Sequence, residues 1–330
     1  LNPVVLAAGP LLYELIAESP ALPIQQSRYA TMLDTPQNVA AAKADFRQDP
    51  RIRILMDNGA AIPGQPGAIG AAWETQFTDW PAPGLKPTKF FLGKGGTLSS
   101  TKASKGTVAS YRSDPGARPA KTLGENAQAD SWKPQPAYDW QPLAAGKGLG
   151  FITPALDKDV FIAGPSSVDL YLRSNARNTD IQVTLTEVRP DGNETYIQNG
   201  WLRASHRAIN SKLSTAYNPV QTWLKSDQAP LKKGKYNYAR IQIFPAAHVF
   251  RAGSKIRLNI QAPGGDRTIW DFDTIEKGNT TNTIGLGGVI PSKLVLPVIP
   301  GEDAQGTELP GPTELRGEPN RTYEPASNGG

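Results

Sequence analysis

Three runs decide the fold: Val168-Asp-Leu-Tyr-Leu-Arg173, Ile181-Gln-Val-Thr-Leu-Thr186 and Ile256-Arg-Leu-Asn-Ile-Gln261. In each, an apolar side chain alternates with a polar one, the pattern of a strand with one face in a core and the other toward water. About eight to ten such strands fall within residues 148–300, separated by turn residues such as Pro190-Asp-Gly192. That spacing predicts antiparallel hairpins in a β-sandwich or jelly roll and argues against a parallel sheet.

Outward from this block the chain changes character. Residues 1–80 mix helix and strand signals. Pro10-Leu-Leu-Tyr-Glu-Leu-Ile-Ala-Glu18 reads as an amphipathic helix, and a second is expected from Thr35, with Thr35 as N-cap, Pro36 in the first turn and Asn38 at the capping-box position. Arg51-Ile-Arg-Ile-Leu-Met56 then reads as a buried strand, and helix followed by strand is the unit of a parallel α/β sheet. Residues 81–147 are rich in Pro and Gly and are expected to be linker and the start of the β domain, with a hairpin over Lys89-Phe-Phe-Leu92 and Gly95-Gly-Thr-Leu98. Residues 301–330 are acidic, with many Pro and Gly, and are expected to form an extended polar tail unless they dock.

Composition narrows the function. The 35 basic and 30 acidic residues are dispersed, without the basic stripe of a nucleic-acid binder. The absence of cysteine excludes disulfides and thiolate metal sites, and two isolated histidines do not make a zinc site. No apolar run has the ~18–20 residues of a membrane span. The start at Leu1 carries neither an initiator Met nor a basic leader. The missing cysteines, the Pro/Gly-rich loops and the polar tail suggest an extracellular or cell-envelope protein, with the cytoplasm as the alternative.

Four markers add a kinship: Phe151-Ile-Thr-Pro154, Val160-Phe-Ile-Ala-Gly-Pro165, Asn199-Gly-Trp-Leu-Arg-Ala-Ser205 and Phe244-Pro-Ala-Ala-His-Val-Phe-Arg-Ala-Gly253. With the strands between them they resemble the jelly-roll (galactose-binding-like) sandwich that closes the cocaine-esterase and X-Pro dipeptidyl-peptidase family of α/β-hydrolases. The resemblance implies that residues 1–80 are the remnant of the α/β-hydrolase domain. It also implies acyl transfer on small esters, amides or peptides without a cofactor, and a β domain that walls the substrate pocket.

The residues for that chemistry are incomplete. A serine hydrolase needs a nucleophile on a sharp turn, a histidine base and an acid that orients it. No Gly-x-Ser-x-Gly occurs, and Ser104 and Ser166 are loop serines. The resemblance places Asp34, in Thr31-Met-Leu-Asp34, at the triad acid, and places Ala61 where the histidine base would stand. Asp34 also reads as an acid stabilising the start of the following helix, and Asp57-Asn-Gly59 as a plain turn. His206 and His248 lie far along the chain and read as structural histidines on strands, hydrogen-bonded to backbone.

The chain alone is therefore expected to be inactive. Its nucleophile would lie upstream of Leu1, on a segment truncated, cleaved off or supplied by a second chain, and a homo-oligomer is compatible with this. The alternative is a non-catalytic descendant that binds or supports.

One acidic run remains, Gly264-Gly-Asp-Arg-Thr-Ile-Trp-Asp-Phe-Asp273. Asp266, Asp271 and Asp273 are candidates to share a calcium ion through oxygen ligands, or simply members of a solvated loop. Trp270 and Phe272 are the candidates for the pocket wall. The other tryptophans are scattered, and only an exposed aromatic set would point to sugar binding.

Overall fold

The computed structural model describes residues 3–18, 27–306, 310–326 and 328. Its internal contacts divide the chain into two units: unit 1 is Leu1–Pro83, Gln128–Pro136 and Thr313–Gly317, and unit 2 is Gly84–Ala127, Ala137–Pro312 and Glu318–Gly330.

In unit 1, helix α1 spans Pro3–Ala17 and begins about two turns before the predicted start, carrying Pro10 inside it. Helix α2, Pro36–Phe46, is capped as expected: the Thr35 hydroxyl accepts the Asn38 amide at 3.2 Å. The Asn38 side chain donates to the Leu33 carbonyl at 2.9 Å, and the Thr35 amide that a capping-box Glu would accept donates instead to that same Leu33 carbonyl at 2.9 Å. Strand β1, Ile52–Met56, pairs antiparallel with β2, Trp73–Phe77, so that Ile52 faces Phe77 and Met56 faces Trp73. The expectation of a parallel partner is thus corrected. The chain doubles back after Met56 at Asp57-Asn58-Gly59, where Asp57 (φ 51°) accepts the Trp73 indole at 3.0 Å and the Gly59 amide donates to Gly70 at 2.9 Å.

Unit 2 is a β-sandwich. Its strands are β3 Lys86–Gly93, β4 Thr97–Ser99, β5 Thr107–Ser113, β6 Gly148–Ile152, β7 Val160–Ser174, β8 Asp180–Val188, β9 Asn193–Arg203, β10 Asn237–Phe250, β11 Lys255–Gln261, β12 Thr280–Leu286, β13 Lys293–Val298 and β14 Asn320–Thr322. They are hydrogen-bonded in the order β14-β9-β8-β11-β6-β4-β3-β13-β7-β12-β5, with β10 along the other edge of β7. Every ladder is antiparallel except the single bridge from β4 to β6. The predicted hairpins are present: β3 with β4, and β8 with β9 around Asp191-Gly192. One core unites Val168, Leu170 and Leu172 of β7, Ile181, Val183 and Leu185 of β8, and Ile256, Leu258 and Ile260 of β11.

Two of the marker motifs have direct structural causes. Gly200 of β9 runs so close beneath β10 that a Cβ there would meet the Gln242 carbonyl oxygen at 1.8 Å. Pro245 has no amide to donate, and the register of β10 against β7 shifts between Ile243 and Ala246.

The polar faces of β8 and β11 do not meet water, contrary to the alternation reading. Gln182, Thr184, Thr186, Arg257, Asn259 and Gln261 are all buried. The chain around Arg118 and Trp140 and the C-terminal strand lie over them. Such a face is tolerable only if most of its polar groups find partners, and two carboxylates organise those partners.

Asp266 accepts from Arg118 (2.8 Å), Trp140 (2.6 Å), Thr184 (2.7 Å), Gln261 (2.9 Å) and Gln182. Glu194 accepts from Thr186 (2.8 Å), Arg257 (2.8 Å), Asn259 (3.2 Å) and Arg321 (2.9 Å). Arg321 lies on β14, which pairs with β9, and its guanidinium stacks 3.7 Å from the Trp140 ring centre. Residues Asn320–Thr322 of the tail therefore join the β-sandwich.

Asp266 is not a calcium ligand in this arrangement. Its oxygens are spent on five donors, whereas Asp271 is exposed and pairs with Lys121 at 3.4 Å. Asp273 is exposed as well, and no group of three metal-ligating side chains comes together among the described residues. Burial alone pushes the Asp266 carboxyl up, but the Arg118 charge, with hydrogen bonds from Thr184 and Trp140, outweighs it and holds the group below the usual carboxylate range.

Two outcomes follow for stability. Asp266→Ala leaves Arg118 buried without its partner and is expected to cost about 3–5 kcal/mol in urea denaturation. The folded carboxyl is depressed, so its contribution is complete above the unfolded value near ~4 and fades as pH falls through the folded value; Asp266→Asn should flatten this acid limb. Gly200→Ala forces a backbone overlap and is expected to cost at least ~2–3 kcal/mol, read as a lowered urea midpoint.

Candidate functional site

The cleft that gathers the most chemistry lies in unit 2, at the ends of β8 and β9. It has a volume of about 290 Å³ and is lined by Asp180, Ile181, Trp201, Leu202, Arg203, His206, Trp223, Pro263, Phe272, Asp273 and Thr274. A larger hollow of about 760 Å³ beside Phe90, Leu98 and Leu156 has one ionisable lining residue, Asp157.

Each wall of the smaller cleft has a traceable support. Trp201 follows Gly200 on β9, and its indole donates to the Gln182 side-chain oxygen at 2.7 Å. The same oxygen accepts the Gly264 amide at 3.0 Å, while the Gln182 amide group donates to Asp266. Gln182 therefore ties the aromatic wall and the Gly264-Gly265 turn to one buried carboxylate. Both glycines hold positive φ, 114° and 76°, which lets the chain leave β11 and present Arg267 to Asp273.

On that segment Phe272 packs on Trp201 with ring centres 4.9 Å apart and planes 32° apart. Phe244, next to the β10 irregularity, meets the same indole at 5.3 Å. Arg267 sits 5.7 Å from the Trp201 ring and 4.0 Å from Trp270, joining the two indoles through its cation.

The opposite side is His206 and Trp223, 6.3 Å apart. His206 lies on a short 3₁₀ turn after β9 rather than on a strand, with Nδ1 3.1 Å from the Ser205 hydroxyl. Trp223 has φ 53°, and its side chain is 61% exposed. A bulky residue in the left-handed region costs ~1–2 kcal/mol, and burial of this indole does not offset that cost.

Between the walls, Asp180 accepts Arg203 through two bonds of 2.8 and 3.0 Å, and Arg203 donates also to the Asp273 carbonyl at 2.9 Å. The Asp180 pairing raises the Arg203 pKa further.

The predicted site residues fall as follows. Phe272 lines this cleft, and Trp270 stands on the same segment, half exposed. Asp273 shares the cleft, Asp266 anchors it from the core, and Asp271 points to Lys121. In unit 1, Asp34 is exposed just before α2 and Ala61 is half-buried in the chain linking β1 to β2. His248 is buried with its Nε2 2.9 Å from a Glu187 carboxylate oxygen. Burial alone would raise the Glu187 carboxyl, but the bond and charge of His248 hold it down.

Trp201, Trp223 and the Asp180–Arg203 pair were missed as a group. The only signal was local: the Asn199-Gly-Trp-Leu-Arg203 run puts an indole and a guanidinium on the same face, two residues apart.

Comparison with known proteins places this arrangement. Residues 44–294 match the X-Pro dipeptidyl-peptidase C-terminal non-catalytic domain. Cocaine esterase from a Rhodococcus strain is 27% identical over 248 residues, which is 67% of this chain and 39% of that protein. A CocE/NonD family hydrolase from Staphylococcus aureus superposes with a TM-score of 0.58 at 18% identity, over 80% of this chain and 46% of that one. An α-amino acid ester hydrolase superposes with a TM-score of 0.50 at 19% identity, over 68% and 39%. The chain thus spans less than half the length of these relatives. It belongs to the family of X-Pro dipeptidyl-peptidase C-terminal non-catalytic domains and corresponds to the C-terminal part of a CocE/NonD family protein.

Proposed function

We propose that this chain is the non-catalytic part of a serine hydrolase of the acyl-esterase or X-Pro dipeptidyl-peptidase type, and that its β domain presents Trp270 and Phe272 to the substrate. The nucleophile and base would come from a catalytic segment, on the same polypeptide or a second one. The observation that carries the reading is unit 1. Its α2 has no buried residue, and Leu11, Leu15, Leu33, Phe46 and Leu55 stand exposed around a two-stranded sheet. Two strands with uncovered apolar neighbours need further strands to bury them, and a catalytic α/β sheet would supply these. The name of the cocaine-esterase relative and the sequence, which lacks Gly-x-Ser-x-Gly, support the same division of labour.

The second reading is a descendant that binds without catalysis. The exposed Asp34 and the alanine at position 61 favour it, since loss of a triad member costs several powers of ten in turnover.

A fluorophosphonate probe with p-nitrophenyl acetate turnover separates the two. The 330-residue chain alone is expected to take no label and to hydrolyse nothing above background. Mixed with the catalytic segment of a CocE/NonD relative, it should restore labelling and turnover on that segment, and Phe272→Ala should raise KM by about tenfold with kcat less affected. Labelling of the chain alone would overturn the division. No interaction with any such segment would favour the binder.

A further inference from the structure

We infer that the cleft between Trp201/Phe272 and His206/Trp223 binds a sugar ring. The inference stands without the hydrolase reading, because every lining residue belongs to unit 2.

Four observations converge. The volume of about 290 Å³ lies at the small end of ligand sites, which suits one ring and not an extended chain. The walls are aromatic, and Ile181, Leu202 and Pro263 add apolar lining, so the cleft offers faces for C–H groups beside its polar members. Trp223 is held exposed with a strained backbone, an outlier with no packing gain to explain it.

The polar rim decides the ligand. Among the lining residues Arg203 is already neutralised by Asp180 and Asp273 adds a carboxylate, so the lining itself has no uncompensated arginine or lysine to draw an anion. Yet Nη1 of Arg203, Nε2 of His206 and the Asp273 carboxylate make no hydrogen bond among the described residues, leaving donors and an acceptor at the mouth. A ligand with apolar faces and a rim of hydroxyls satisfies both requirements. A bare aromatic ring would leave the rim unused, and an ion would leave the walls unused.

The test is tryptophan fluorescence of the whole chain titrated with methyl glucoside, methyl galactoside, cellobiose and chitobiose, together with a glycan array. Benzyl alcohol serves as the aromatic comparator. A saturable signal for at least one sugar is expected, weakened tenfold or more by Trp223→Ala and by Asp273→Ala. Both positions are exposed, and an unchanged thermal midpoint checks that the variants fold. Sugar binding unaffected by both variants, or no glycan bound on the array, overturns the proposal. Saturable benzyl alcohol binding lost in Trp223→Ala, with no sugar bound, assigns the cleft to aromatic groups instead. A chain that binds sugar but never assembles with a catalytic segment keeps this inference and removes the hydrolase one.

Discussion

The carboxylate of Asp266 is the constraint on which the β domain depends. A fully buried charge is costly to desolvate, and it persists because Arg118 and four neutral donors converge on it. Those donors come from β8, the end of β11 and the chain around residues 118 and 140. One group therefore fixes elements far apart in sequence, and the geometry leaves few alternatives: a shift of any donor exposes an unmet charge to a low-dielectric interior. Glu194 does the same for β14, and Asp169 for Tyr238, Arg240 and Lys293.

This explains which parts of the fold could be read from sequence. Alternation located β7, β8 and β11, and Asp191-Gly192 located the hairpin, because both signals are local. Alternation also suggested that Gln182, Thr184 and Thr186 face water, since polar side chains usually do. Whether a polar face is covered depends on groups such as Arg118, 148 residues from Asp266, and no periodicity encodes that distance. The three candidate calcium ligands are scattered for the same reason. Three aspartates within eight residues look alike in sequence, but one is buried among donors and two are at the surface.

In unit 1 the local signals were sound and the pairing was not. The N-cap at Thr35 and strand β1 were legible, but the strand's partner was assigned by analogy with parallel α/β units. Trp73-Glu-Thr-Gln-Phe77 alternates and carried the signal for a second strand, whereas its antiparallel direction is visible only in the pairing. The Asp57-Asn-Gly59 turn, read beside the base position, proved to be what folds the chain back toward it.

The cleft combines a rigid wall with an expensive one, and the contrast bears on how it would work. Trp201 is tied through Gln182 to Asp266, so its position is inherited from the core. Trp223 has no such tether: its indole is mostly exposed and its backbone sits in a disfavoured region. A wall built only for stability would reverse this, burying the indole and relaxing the backbone. Pre-organising one wall limits the ordering cost of binding, and an exposed partner on the other side lets a ring enter before contact is complete. The anchoring of Trp201 thus gives the buried carboxylate a second consequence: the network that closes the sandwich also sets one side of the site.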